Sequence, residues 1–148
     1  MEMIALVQRV RQARVAVDGD TIANIGCGIL ALVAAEKSDT WPQAEKLAEK
    51  LLNYRIFPDD NGRMNLSLRD TGHSLLLVSQ FTLAANTRKG NRPGFDNAMP
   101  PELAEPFFAR FCTHLQTLHT GDVQTGRFAA DMQVALINDG PVTFWLQS

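Results

Sequence analysis

The stretch "LLLVSQFTLA" carries four apolar residues, Leu75 to Val78, into Ser79-Gln80-Phe81-Thr82. Small hydroxyls at the end of a buried strand are placed to meet a substrate. An activated serine needs a base and a strained elbow of the G-x-S-x-G kind, and the stretch has neither that pattern nor a nearby histidine. Taken alone, Ser79 and Thr82 are more often strand-end hydrogen bonders than nucleophiles. A second stretch, "NTRKGNRPGF", sets Arg88, Lys89 and Arg92 within five residues, and Gly90 and Gly94 keep its backbone adaptable. Clustered cations with close backbone approach suit phosphate oxygens. A solvated surface loop accounts for the same charges. A third, "TGRFAADMQV", spaces Phe128 and Met132 four apart, on one face if the segment is helical. Such a pair stacks on a base, lines a pocket or joins the core.

The fourth stretch is "VALINDGPVTFWL", 134–146. Two apolar runs flank Asn138-Asp139-Gly140, which reads as a β-hairpin with Asp-Gly in the turn. Pro141 then stands where the returning strand should begin to pair, although proline has no N–H to donate. One explanation is an edge-strand proline that blocks unwanted pairing. The other is a cis Gly140-Pro141 bond, a state held by about 5–6% of X-Pro bonds in folded proteins. It would turn the carbonyls of Gly140 and Pro141 to one side and present them on a rigid tip.

These stretches need elements to position them. The first 36 residues are rich in β-branched side chains and read as four short strands, "MIALVQRV", "ARVAVDG", "TIANIG" and "GILALVAAE". The last is nearly all apolar, as a central strand buried on both faces requires. Thr40 with Gln43 resembles a capping box, Pro42 sits in the first turn, and Trp41, Ala44, Leu47, Ala48, Leu51 and Leu52 recur at helical spacing. "PDDNGR" (58–63) is a turn and 73–80 a further strand. Residues 84–101 form a long polar loop, a kind that is usually functional or mobile. A second helix is expected over 101–118, with Leu103, Phe107, Phe108, Phe111, Leu115 and Leu118 inward and Pro106 delaying or kinking its start. Two strands, about 131–138 and 142–147, close the chain. About seven strands and two main helices without a βαβ rhythm imply an α+β fold. The expected architecture is one domain over 1–148, with a mainly antiparallel sheet or open barrel.

Composition narrows the classes. The 148 residues are 45% hydrophobic and 20% charged, as in a globular chain with its own core. No apolar run approaches the roughly 18 residues of a membrane span. The N-terminus lacks a signal-peptide pattern, so a cytoplasmic location is expected. Cys27 and Cys112 are isolated and are expected to be buried free thiols. His73, His114 and His119 show no ligand spacing, and neither a metal nor another cofactor is expected. The net charge of −2 restricts any nucleic-acid contact to a local positive patch.

In combination the stretches resemble one family, the D-aminoacyl-tRNA deacylases. The resemblance runs from "MIALVQRV" (3–10) through "NYRIFPDDNGRMNLSL" (53–68) to "SQFTL" (79–83), "RPGF" (92–95), "TGRFAADMQV" (125–134) and "NDGPVTFWL" (138–146). Gly94 and Asn86 depart from the serine and the acidic residue that many members carry. The resemblance implies a metal-free homodimeric esterase that releases D-amino acids, and glycine from mischarged tRNA, while sparing L-aminoacyl-tRNA. It implies that the Gly140-Pro141 bond is cis and enters the partner subunit's site as a chirality filter, with Arg9 bracing the tip through a carbonyl. Ser79, Gln80, Phe81 and Thr82 would form the catalytic floor. Phe128 and Met132, with Phe95 and Gln80, would line the adenosine pocket, and Arg88, Lys89 and Arg92 would meet acceptor-stem phosphates. Other readings of the same residues are a serine or threonine hydrolase of small esters, and a non-catalytic tRNA-binding or dimerisation module. The implied fold is similar to the editing domain of archaeal-type threonyl-tRNA synthetases, which makes a related proofreading role a further alternative.

Overall fold

The computed structural model describes residues 2–148. Its longest elements are two strands that run side by side, β1 (Ile4–Val17) and β8 (Met132–Gln147). One edge of β1 pairs antiparallel with β3 (Gly28–Ala34) through residues 4–10 and with β2 (Asp20–Ile25) through residues 13–17. The other edge pairs antiparallel with β8. Beyond β3, β6 (Ser74–Ser79) and β7 (Val123–Thr125) add in parallel. The sheet order is β2-β1-β3-β6-β7, and the Gln124 side chain joins its two ends. The Gln124 amide accepts from Asn24 N–H at 2.7 Å and donates to Asn24 O at 2.9 Å, doing the work of a ladder step between β7 and β2. The result is a nearly closed barrel. The expected α+β class holds, with two parallel pairs inside the mainly antiparallel sheet.

The four strands expected in the first 36 residues are three, because "MIALVQRV" and "ARVAVDG" form one continuous β1. Its two halves pair with different neighbours, so the polar residues between them mark a change of partner and leave the chain extended. Alternation on β3 and β6 works as the apolar runs imply. Ile29, Ala31, Val33, Leu75 and Leu77 face a core covered by helices, while Leu30, Leu76 and Val78 fill the barrel interior. Gly28 lies so close to Ser74 that a Cβ would sit 1.9 Å from the Ser74 carbonyl oxygen, so no larger residue fits this β3–β6 crossing.

The helix α1 (Trp41–Asn53) buries Ala44, Leu47, Ala48, Leu51 and Leu52, as its spacing predicts. Each of its leucines adds about 1.5–3 kcal/mol by full burial. At its start Gln43 Oε1 accepts from Thr40 N–H at 2.8 Å. The Asp59 turn closes a small hairpin, β4 (Phe57–Pro58) with β5 (Met64–Leu66), absent from the sequence reading. The short α2 (Leu68–Thr71), capped by Ser67 and Asp70, was likewise not anticipated. The second main helix, α3 (Pro101–Leu118), starts where expected and carries Pro106 on its exposed side without delay. Phe108, Phe111, Cys112 and Leu115 are buried, but Leu103 is 59% exposed. At 100° per residue Leu103 stands about 130° round the helix from the centre of that face.

Candidate active site

The hairpin expected at "NDGP" does not exist. Residues 132–138 and 143–147 both run along β1 in one direction, and the chain bulges outward between them. Gln8 pairs with Thr143 and Val10 with Asn138, so one step past Arg9 on β1 is matched by a much longer excursion on β8. The Asn138 side chain closes the base of this bulge. Its Oδ1 accepts from Val142 N–H at 2.7 Å, and its Nδ2 donates to Thr143 Oγ1 at 3.0 Å and to Val142 O at 3.3 Å. Asn138 thus serves as a local substitute for the missing ladder, a role that turn-forming asparagines favour. Pro141 needs no donor here, because the bulge tip has no ladder partner among the described residues.

Gly140 and Pro141 are exposed at that tip, and the bond between them is cis, as the resemblance implies. Gly140 has φ +147°, and a Cβ there would meet Val142 Cγ2 at 2.7 Å and Val142 N at 2.9 Å. Glycine is therefore required. Arg9 reaches the bulge from β1: its Nε donates to Asp139 O at 2.8 Å, and its Nη1 donates to Ile56 O at 2.7 Å. The braced carbonyl is that of Asp139, which leaves those of Gly140 and Pro141 free of Arg9.

A separate cavity of about 730 Å³ opens where β6 ends. This volume lies within the roughly 300–1,000 Å³ of small-molecule sites. Ser79, Gln80 and Phe81 form one wall, Phe128 and Met132 another, and Phe95 a third. Six of the sequence-predicted residues are brought together in this way. The register explains the floor: Ser79 is the last β6 residue paired with β3, opposite Val33, and Gln80 N–H still donates to Val33 O at 2.7 Å. The chain then turns into a 3₁₀ segment, Phe81–Ala84, whose first internal bond is Leu83 N–H to Gln80 O. The N–H groups of Phe81 and Thr82 precede that bond and have no acceptor among the described residues. Phe81 and Phe95, 56% and 38% exposed, lean together with ring centroids 5.1 Å apart at the cavity mouth.

Phe128 and Met132 both line the cavity, but not from one helical face, because the segment between them is a turn: Ala129 takes φ +62° and Met132 opens β8. Thr82 lies beside the cavity, outside its lining, and its hydroxyl accepts from Gln80 Nε2. No imidazole or carboxylate hydrogen-bonds Ser79 or Thr82 among the described residues. Arg88 lines a different hollow, of about 460 Å³, with Glu36, Asn86 and Asn97. Lys89 and Arg92 belong to neither and stand exposed on the loop that the Asn86–Gly94 bridge closes. The 138–142 bulge contributes nothing to the large cavity of its own chain.

Sequence reasoning missed the wall made by Lys37, Asp96 and Ala98 to Pro101. Its signal lay in the long loop, whose C-terminal part lies back along the end of β3 through Lys37 N–H to Asn97 O at 2.9 Å and Met99 N–H to Ala35 O at 3.1 Å. The cysteine expectation is half corrected: Cys112 is buried, which pushes its thiol up to about 12, whereas Cys27 is exposed.

The barrel with its two long helices recurs among solved structures. The model of the D-Tyr-tRNA(Tyr) deacylase family matches residues 6–147. The chain is similar to the D-aminoacyl-tRNA deacylases of Dichelobacter nodosus, at 60% identity over 97% of this chain and 99% of that one. That of Teredinibacter turnerae is 59% identical over 99% and 100%. Among solved structures, the c-Myc DNA Unwinding Element Binding Protein superposes with a TM-score of 0.94 at 42% identity, over 98% of each chain. A probable eukaryotic D-amino acid tRNA deacylase shares the fold, with a TM-score of 0.87 at 17% identity over the whole of both chains. The chain belongs to the D-Tyr-tRNA(Tyr) deacylase family and is a hydrolase. No helix among the described residues is long and apolar enough to cross a membrane.

Proposed function

We propose that this enzyme cleaves the ester of D-aminoacyl-tRNA and of mischarged glycyl-tRNA in the cytoplasm, as a homodimer, and spares L-aminoacyl-tRNA. The observation that carries the reading is the cavity of about 730 Å³ in which Ser79, Gln80 and Phe81 meet Phe95, Phe128 and Met132. The terminal adenosine stacks against Phe128 and Met132, and the ester carbonyl points at the free N–H groups of Phe81 and Thr82. Two such donors, fixed before the reaction, hold the oxyanion as it develops. No imidazole or carboxylate hydrogen-bonds Thr82 among the described residues, which favours a mechanism in which the Thr82 hydroxyl is not the nucleophile. Water attacks, assisted by the 2′-hydroxyl of the terminal ribose. Arg88, Lys89 and Arg92 steer the acceptor stem, whose phosphates dominate the salt dependence of binding.

Selectivity comes from exclusion. The tip at Gly140 and Pro141 enters the partner subunit's cavity, and its carbonyls fill the space that an L side chain needs. Glycine has no side chain to exclude and passes. Two features support a second copy: β8 pairs only with β1 among the described residues, and Ile137 and Trp145, 48% and 49% exposed, flank the tip. A long edge strand with exposed apolar residues is unusual in a monomer. Deacylation of D-tyrosyl-, L-tyrosyl- and glycyl-tRNA tests the reading. Loss of the D and glycyl esters with the L ester intact is expected. Equal cleavage of D and L, or a monomer in solution that still discriminates, removes the filter.

A further inference from the structure

Lys37 is a cation of the cavity that no catalytic step uses. It shares the lining of the cavity with Phe128 and Met132 and stands four residues beyond Val33, the β3 residue whose carbonyl holds Gln80 N–H. Its backbone is fixed twice. Lys37 N–H donates to Asn97 O at 2.9 Å, and the turn that carries it is closed by Asp39, whose Oδ2 accepts from Glu36 N–H at 2.6 Å while Asp39 N–H donates to Glu36 O at 3.0 Å. Asp39 is itself buried, so this turn is anchored in the protein. The Lys37 side chain is exposed and forms no ion pair among the described residues. The one other charged residue in the cavity lining is Asp96. A cation beside apolar walls acts on a bound anion more strongly than one in open solvent.

The substrate offers few anions to such a group. In an aminoacyl ester the carboxyl is consumed by the ester bond and the α-amine is neutral or positive. With adenosine on Phe128 and Met132 and the ester at Phe81 and Thr82, the remaining charge within the cavity's span is the phosphodiester on the 5′ side of the terminal nucleoside. We propose that Lys37 binds that phosphodiester and so sets the register of the tRNA end in the cavity; this rests on the adenosine reading given above. The group is anionic in ground state and transition state alike, so Lys37 contributes to binding and leaves the chemical step unchanged.

The test is calorimetric titration of the full-length protein with adenosine and with the methyl ester of adenosine 5′-phosphate, which has the single charge of a phosphodiester. At about 50 mM salt the wild type is expected to prefer the phosphate ester by about two- to fivefold, a preference that shrinks as salt rises. Lys37→Gln should bind adenosine as the wild type does and lose the preference, and Lys37→Arg should keep it. A wild type without the preference, or a Lys37→Gln protein that retains it, overturns the inference and leaves the adenosine pocket standing. Failure of the wild type to bind either compound removes the adenosine pocket and this inference together.

Discussion

Arg9 supplies two charge-assisted bonds to the segments beside the tip, and its removal shows what aims the tip. Its guanidinium spans from Asp139 O at 2.8 Å to Ile56 O at 2.7 Å, so it ties the bulge of β8 to the chain after α1. Hydrogen bonds from a charged donor contribute about 1.5–3 kcal/mol each, and a half-buried site takes the lower end. Arg9→Met keeps the stem and loses both bonds, for a cost of about 3 kcal/mol. For a chain of this size that lowers the melting temperature by about 6–12 °C. Arg9→Lys has no planar fork and can serve one carbonyl at a time, so about half the loss is expected. The control is Arg11, which pairs with the Asp139 carboxylate at 3.7 Å with side chains 71% and 45% exposed. Such a pair is worth at most about 0.5 kcal/mol, and Arg11→Ala should melt within about 2 °C of wild type. Of the two bonds only the one to Asp139 O holds the bulge itself, and losing its roughly 1.5 kcal/mol populates misplaced tip positions about tenfold more, so discrimination between D- and L-tyrosyl-tRNA should narrow by about tenfold. The assays are thermal melting and paired deacylation rates. If Arg9→Met melts like Arg11→Ala with the D/L ratio intact, Arg9 does not hold the tip.

On the proposed mechanism, in which backbone N–H groups hold the oxyanion, Thr82→Ala should keep its deacylation rate within about tenfold; a loss of three orders of magnitude in a folded variant would make the hydroxyl the nucleophile. A thiol reagent should label Cys27 at once and Cys112 only after denaturation, since burial holds the Cys112 thiol at about 12; rapid labelling of two thiols in the native protein contradicts this. Gly94→Ala should raise the melting temperature by about 1–4 °C, a gain of about 0.4–1 kcal/mol through a less flexible unfolded chain. Its new Cβ would find Asn86 O at 3.7 Å, an ordinary contact, and a lower melting temperature refutes the placement. Burial raises the Asp39 carboxyl above its usual range. Its folded value then exceeds the unfolded one, so its contribution is full below about pH 4 and is lost as pH rises through the folded value. Asp39→Asn should therefore gain on wild type in urea midpoints as pH climbs from about 4 to 7, and a gap that closes over that range reverses the sign.

The parts legible in the sequence were those with one strong local cause. Helix α1 follows from its apolar spacing, and β3 and β6 from unbroken apolar runs that fit only between two cores. The tip residues were legible for a different reason: a proline with no role in a ladder, next to a glycine, signals a place where the ladder is absent. The same logic failed one level up. Asp-Gly between two apolar runs is equally consistent with a hairpin and with an out-turned bulge, because both need one tolerant residue at the turn. What separates them is the strand alongside. β1 is long enough to pair with both flanks of the bulge, and Asn138 with Arg9 satisfies the groups left over. β1 was illegible as one strand because the partner along one of its edges changes from β3 to β2, a fact with no local signature. The same limit hid Lys37. Nothing about a lysine in "AAEKSD" announces a cavity, since its wall is built by residues 95–101, some sixty positions along the chain. The short helix α2 is the opposite case, because Ser67 followed three residues on by Asp70, with Gly72 beyond, is a complete local start-and-stop signal. Local capping chemistry and strand-end chemistry can thus be read from residue order. Which groups face one another across the cavity depends on pairings that only the folded barrel establishes, and the parallel β3–β6 pairing is what ends at Ser79 and brings Gln80 and Phe81 to the cavity that Phe95, Phe128 and Met132 also line.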